Sequence, residues 1–455
     1  EFMADVDETR WSFGIPSKTS HNEVAPAQHE MAPVYATTNV AIDSNMLTME
    51  LMKKVAQKHG LICLLHEKPF EGINGSGKHN NWSMSTDTGL NLLEPGSNPE
   101  KNTLFMLVLA AVIKAVDDYQ GILRGAVASA GNDHRLGANE APPAIISVYL
   151  GDQLGALVDS IAHGKEYVPF RAKEGSIGVP ESPIFPKDAS DRNRTSPFAF
   201  TGNKFEFRML GSQANVADAN IVLNTIIADA FCDFADKLEG EKDIEAAARQ
   251  LITDTIRAHK RIIFNLDGYG PAWEPEAERR GLLNNKDTAD ATEVFFEQPN
   301  IDVFVKQGVY TEQEAVARAM VRLENYVKII NIEALTMLKM AKQDIIPAVS
   351  DYIAELCSNV AAKKTISENI PCETEKGLII RLSDLNDKFG AEVKKLESIL
   401  SAIDKEDVRP ASKAMAHEVL PQMGVVRKIA DEMETLTAED YWPYPSYTDI
   451  LYSVK

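Results

Sequence analysis

Hydrophobic and polar positions give successive stretches of the chain different characters. Prolines punctuate the start, so residues 3–35 read as an extended lead-in. Met46, Met49, Met52 and Val55 then fall at helical spacing. With Ser44 as N-cap and Gly60 as stop, they predict a helix over about 45–59. The apolar run Leu61–Leu65 reads as a buried strand ending at His66. A glycine-rich stretch, 71–77, leads into a polar strand through Ser85. Residues 103–119 are almost uniformly apolar, the pattern of a buried helix. A further helix is predicted from about Pro143 to Ala162, and 167–201, with its five prolines, reads as loop. Lys204–Arg208 alternates with period two and predicts a strand. Lys204, Glu206 and Arg208 face a cavity, and Phe205 and Phe207 face a core.

Beyond about residue 215 the pattern becomes helix after helix. Thr311-Glu-Gln-Glu314 is a capping box ahead of a helix over 315–340. Leu378, Leu382, Leu385, Phe389, Val393, Leu396, Leu400 and Ile403 keep near-heptad spacing. A polar break at 404–407 precedes a second helical run to Leu436, expected to kink at Pro421. The two runs, 378–436, predict an antiparallel helical hairpin, with two ordinary bundle helices as the alternative. The expected architecture is α+β: a curved, mostly antiparallel sheet wrapped by helices, with an all-helical C-terminal extension. Residues 3–300 would form the first domain and 301–455 the extension. Glu1-Phe2, ahead of Met3, reads as a cloning scar, and the absence of an opening strand or cap predicts a fragment of a longer protein.

Composition narrows the function. A chain of 455 residues carries two to four domains at ordinary domain size. Its formal charge of −20 repels polyanions, so nucleic acid and anionic membrane surfaces are not expected partners. The longest apolar run, Leu104–Ile113, is too short to span a bilayer, and no signal-peptide pattern opens the chain. Cys63, Cys232, Cys357 and Cys372 form no CxxC pair, which points to reduced thiols and a cytoplasmic protein.

Four places gather ionisable groups. In His21–Glu30, His21 and Glu23 share a face of an extended segment and Glu30 returns after a turn at Pro26. Two glutamates and a histidine suit magnesium or manganese, and a solvated surface loop is the alternative. Asn74-Gly-Ser-Gly-Lys-His79 lets backbone N–H groups approach an anion, but it lacks P-loop spacing and a plain turn explains it equally. His79 is either a ligand at its end or a satisfied core histidine. Arg135 and Glu140, on a small loop, could pair with and close over a carboxylate substrate, or form a surface salt bridge. Arg192 and Arg194 offer forks for phosphate or carboxylate beside the Lys204–Arg208 strand, where Glu206 either binds metal or neutralises its neighbours. Metal carboxylates with cationic forks are the equipment for phosphoryl transfer onto a carboxylate.

In this order, these motifs resemble glutamine synthetase. Gly77-Lys-His-Asn-Asn-Trp-Ser83, His134-Arg-Leu-Gly-Ala-Asn-Glu-Ala-Pro-Pro143 and Thr201-Gly-Asn-Lys-Phe-Glu-Phe-Arg208 are similar to its long, type III branch. The resemblance implies the glutamine synthetase/guanido kinase-like catalytic fold. It also implies ATP-dependent ligation of ammonia to L-glutamate through γ-glutamyl phosphate. Glu23 and Glu30 would hold one Mg2+ (or Mn2+), and His79 and Glu206 another that bridges the ATP phosphates. His21 would contact the transition-state region. Asn74 and Gly75 would bind glutamate, whose α-carboxylate faces Arg135. Glu140 would close the site and help deprotonate ammonium. Arg194 and Arg208 would stabilise the transferring phosphoryl group, and Asn81, Ser83, Arg194 and Lys204 would line the nucleotide. The chain departs from the family at Asn81, where a second histidine is common, at Ala199, where another arginine is common, and at Lys204, where arginine is. The family's N-terminal β-grasp domain and further metal-binding glutamates are absent, so the fragment alone is expected to be inactive. The full-length protein would be a double-ringed homo-oligomer. The alternatives are a γ-glutamyl ligase acting on another amine and a non-catalytic oligomeric scaffold.

Overall fold

The computed structural model describes residues 1–139, 141–167 and 196–452, which fall into two compact units, 1–319 and 320–455. The sequence places this boundary near residue 300.

The first unit is built on the helix Thr103–Asp118. Asn102 caps it, its side chain accepting the Phe105 N–H at 3.1 Å, and Leu109, Val112, Ile113 and Val116 are wholly buried. The helices Ala217–Leu238 and Ile244–His259 pack on it. A four-stranded sheet adds its apolar face to the same core. Its strands are β3 (Gly77–Trp82), β4 (Val148–Tyr149), β5 (Phe198–Phe200) and β6 (Phe205–Gly211), in the order β3-β6-β5-β4. Only the β4–β5 pairing is parallel. Before them, β1 (Ser17–Asn22) and β2 (His29–Pro33) form an antiparallel hairpin.

The alternating strand forms one residue later than its motif, at Phe205. Phe205 and Phe207 are wholly buried, and Phe198 stacks on Phe205 at 4.6 Å between ring centres. Glu206 lies on the opposite face. The capping box closes as expected: the Glu314 N–H donates to Thr311 Oγ1 at 3.2 Å and the Thr311 N–H to Glu314 Oε2 at 2.8 Å.

Four expectations are corrected. The lead-in is not extended throughout, because Phe2–Ser12 is a helix. Val6 and Arg10 are buried, and Asp5 Oδ2 lies 2.7 Å from His59 Nε2. The next helix starts at Thr38 rather than about 45, and Ser44 lies inside it, its carbonyl accepting the Thr48 hydroxyl. Leu61–Leu65 forms no strand: Ile62 is 86% and Leu64 63% exposed, so its apolar run does not mark burial. The helix expected from Pro143 begins at Gly151, because the buried run Ala144–Tyr149 is taken up by an extended approach and β4.

In the second unit, Ile346–Ile366, Glu373–Ala402 and Leu420–Leu436 are consecutive antiparallel helices. Lys342–Glu397 and Ser350–Asn386 link the first pair, and Glu392–Gln422 and Arg381–Glu432 the second. Leu382, Leu385, Phe389, Val393, Leu396 and Leu400 form the buried seam. At Pro421 a π turn, Met415–Val419, precedes the proline, and another, Ala341–Ile345, precedes Pro347. Proline offers no N–H and crowds the carbonyl four residues back, and the wider turn absorbs both effects.

Candidate active site

The β1–β2 hairpin sets the first cluster. The Glu23 N–H donates to the Gln28 carbonyl and the Gln28 N–H to the Ala25 carbonyl, and Ala27 takes the left-handed conformation at φ 52°. The register puts His21 opposite Glu30. His21 Nε2 lies 2.8 Å from Glu23 Oε1 and 3.5 Å from Glu30 Oε2, and ligand atoms of all three lie within 4.8 Å of one another. Burial, and then the hydrogen bond and negative charge of Glu23, push the Glu30 carboxyl above its usual range, against the pull of His79 and His21. Two carboxylates that resist joint ionisation fit a cation that would neutralise both.

Gln28 latches this hairpin to the glycine loop, its Nε2 donating to the Gly75 carbonyl at 3.0 Å and to Ser76 Oγ at 2.9 Å. The loop needs its glycines for close approach. A Cβ on Gly77 would collide with the Arg135 guanidinium, and one on Gly75 with the Glu67 carbonyl.

The second cluster spans β3 and β6. Asn81 pairs with Glu206 in register, and an irregularity between Lys78 and Asn80 sits at His79. His79 Nδ1 lies 3.0 Å from Glu206 Oε1, while Arg208 donates to Glu206 Oε2 from Nε at 3.1 Å and Nη2 at 2.8 Å. Burial raises the Glu206 carboxyl, but His79 and Arg208 together outweigh it and hold it down to about 2. Glu23, Glu30, His79, Glu206 and Arg208 thus form one connected electrostatic group, with Glu30 coupled to both Glu23 and His79.

Arg135 departs from its expected setting on a small, flexible loop. It closes the helix Ala130–Arg135 and is buried, its guanidinium donating to the carbonyls of Arg208 and Leu210 and to Asn132 Oδ1. It still borders the glycine loop that carries Asn74 and Gly75. Burial lowers it to about 10, against the raising effect of Glu67 and Tyr269. Ser83 donates to Asn91 Oδ1 and the Asn203 carbonyl beside Lys204. Glu140, Arg192 and Arg194 lie outside the described residues. Sequence reasoning missed Gln28, Asn132, Glu67 and Asn139, whose amide donates to the Gly72 carbonyl at 3.1 Å. Of these, Gln28 and Asn139 lie within motifs already singled out.

Residues 1–147 match the family described as glutamine synthetase, catalytic domain, and residues 247–364 match the glutamine synthetase C-terminal domain. The chain belongs to the glutamine synthetase family. It is 44% identical to the glutamine synthetase of Butyrivibrio fibrisolvens, over 100% of this chain and 65% of that protein. It is 40% identical to the type-3 glutamine synthetase of Dictyostelium discoideum, over 99% and 62%. It is 39% identical to the glutamine synthetase of Bacteroides fragilis, over 99% and 64%. The chain therefore spans just under two thirds of the length of these glutamine synthetases. Among the described residues, no helix is long and apolar enough to cross a membrane.

Proposed function

We propose that the full-length protein is a cytoplasmic type III glutamine synthetase. It would join ammonia to L-glutamate at the expense of ATP, giving glutamine, ADP and phosphate. The observation that carries this reading is the connected group Glu23–Glu30–His79–Glu206–Arg208, of which Glu23, Glu30 and His79 lie within residues 1–147, the part matched to the family's catalytic domain.

Glu23 and Glu30 are assigned to one divalent cation and His79 and Glu206 to a second. Oxygen donors with one imidazole fit magnesium, with manganese as a substitute. Bound there, the cations would neutralise charge on the transferring phosphoryl group. A γ-carboxylate oxygen of glutamate attacks the γ-phosphorus of ATP and ADP leaves. The nitrogen of ammonia then attacks the γ-carbonyl carbon and phosphate leaves. Arg208, whose Nε and Nη2 both donate to Glu206 Oε2, is aimed by that carboxylate and is assigned to the phosphoryl oxygens, as is Arg194. Arg135 and the Asn74–Gly75 loop bind and orient glutamate, and His21, beside Glu23 and Glu30, is assigned to the transition-state region. Ser83, Asn81 and Lys204 line the nucleotide. Glu140 takes the proton released as ammonium becomes ammonia.

The test is ATP- and glutamate-dependent phosphate release with magnesium and ammonium. It would compare the full-length protein, its Glu206→Ala variant and the 455-residue chain. Glu206→Ala should lower kcat by about 100-fold or more, the scale of losing a preorganised transition-state contact, and the chain alone should not turn over. A variant rate equal to wild type would remove Glu206 from the mechanism.

A further inference from the structure

Glu67 is a buried carboxylate, 2% exposed, between the glycine loop and the end of β6. Gly131 and Gly211 make room for it, since a Cβ on either would collide with a carboxylate oxygen. Its Oε1 accepts the Gln213 backbone N–H at 3.0 Å, and its Oε2 accepts the Gln213 side-chain amide at 3.3 Å. Its backbone carbonyl accepts the Ser76 N–H at 2.7 Å. One residue therefore ties together the helix Ala130–Arg135, the residues after β6 and the loop carrying Asn74 and Gly75.

A buried carboxylate is costly unless cations face it. Two do. The Lys78 ammonium is held by the carbonyls of Ser212 and Ala214, both at 2.6 Å, and the Arg135 guanidinium by those of Arg208 and Leu210. Burial lowers both cations, and the negative charge of Glu67 is the first influence opposing it in each.

We propose that Glu67 is a positioning residue for recognition of the amino-acid substrate: its carboxylate, seated between Gly131 and Gly211, and its backbone carbonyl, on the Ser76 N–H, hold the helix ending in Arg135 and the glycine loop in one frame. The substrate carboxylate then meets both at fixed geometry. The proposal rests on the ligase reading. Ordering these groups in advance lowers the cost of binding glutamate, and the hydrogen bonds of Glu67 run to Ser76 and Gln213 rather than to Asn81, Ser83 or Lys204.

The experiment measures glutamate KM, ATP KM and calorimetric glutamate Kd for the full-length protein, Glu67→Gln and Glu67→Asp. Glu67→Gln removes the charge at nearly constant volume. It should raise glutamate KM and Kd by about 10-fold or more, as loss of a supporting partner typically does, with ATP KM within about 2-fold. Glu67→Asp should recover part of the loss. A glutamate KM and Kd within about 2-fold of wild type, or a parallel rise in both KM values, would overturn the proposal. If Glu67→Gln does not fold, Glu67→Asp carries the comparison on the same criteria. A wild-type protein that binds no glutamate sinks the ligase reading itself, whereas wild type and Glu67→Gln binding glutamate equally sink only the role of Glu67.

Discussion

Single residues in this chain matter chiefly through how their charges are buried. Asp133, two residues before Arg135, is the clearest case outside the hairpin and β6 carboxylates. Burial raises its carboxyl to about 6, although Arg124 and Thr288 pull the other way. Its Oδ2 accepts the Thr288 N–H at 2.7 Å, which fastens the chain after Asn285 to the helix Ala130–Arg135. The folded state therefore holds the proton more tightly than the unfolded chain. This contribution is complete below the unfolded value of 3.8 and is lost as pH rises through about 6. The stability of wild type minus that of Asp133→Asn should fall by on the order of 3 kcal/mol across that window. Denaturant titrations at a series of pH values measure it, and a difference that stays flat with pH would show that Asp133 is ionised normally.

At the scale of elements, legibility followed how strictly a segment's two faces differ. The β6 strand could be read from five residues because Phe205 and Phe207 alternate with Lys204, Glu206 and Arg208, and only a strand separates those sets. The helix Thr103–Asp118 and the seam from Leu382 to Leu400 were legible for the same kind of reason. Leu61–Leu65 misled because an apolar run reports hydrophobicity, not what lies beside it. The helix Phe2–Ser12 was missed because its sequence carries little apolar periodicity, and it is held by tertiary contacts such as Asp5 with His59. The candidate metal-ligating residues could be singled out by type, but the buried setting of Arg135 could not. That setting depends on carbonyls of β6 more than 70 residues away in sequence. The two faces of β6 also make a direct prediction. Phe207→Ala should cost about 3–5 kcal/mol in chemical denaturation, as deletion of a wholly buried aromatic does. Lys204→Ala, at the rim, should stay within about 0.5 kcal/mol. Equal costs at both positions would contradict the core-and-cavity division.

For the whole molecule, the resemblance to type III glutamine synthetases leads us to expect a ring oligomer from the full-length protein. Light scattering that finds a compact monomer at micromolar concentration would exclude it. The net charge of −20 bears on the metal question as well. Any added salt screens such a surface, so stabilisation by a divalent cation is informative only against a monovalent control at equal ionic strength. The hairpin cluster supplies a specific reason for a divalent effect: Glu23 and Glu30 share a proton-hungry site with His21, and a cation would take the proton's place. A ligand that binds only the folded state stabilises it by about 2.7 kcal/mol at a hundred times its Kd. Manganese at that excess should therefore raise the unfolding free energy of the full-length protein by this amount, and EDTA should reverse the gain. Sodium chloride at matched ionic strength should reproduce only a small part of it. The double variant Glu23→Gln, Glu30→Gln should lose most of the manganese effect. It should also be more stable than wild type in the absence of metal near neutral pH, because the repulsion between the two carboxylates is gone. Sodium chloride matching manganese, or a double variant that responds as wild type does, would mean that the hairpin carboxylates do not hold a cation.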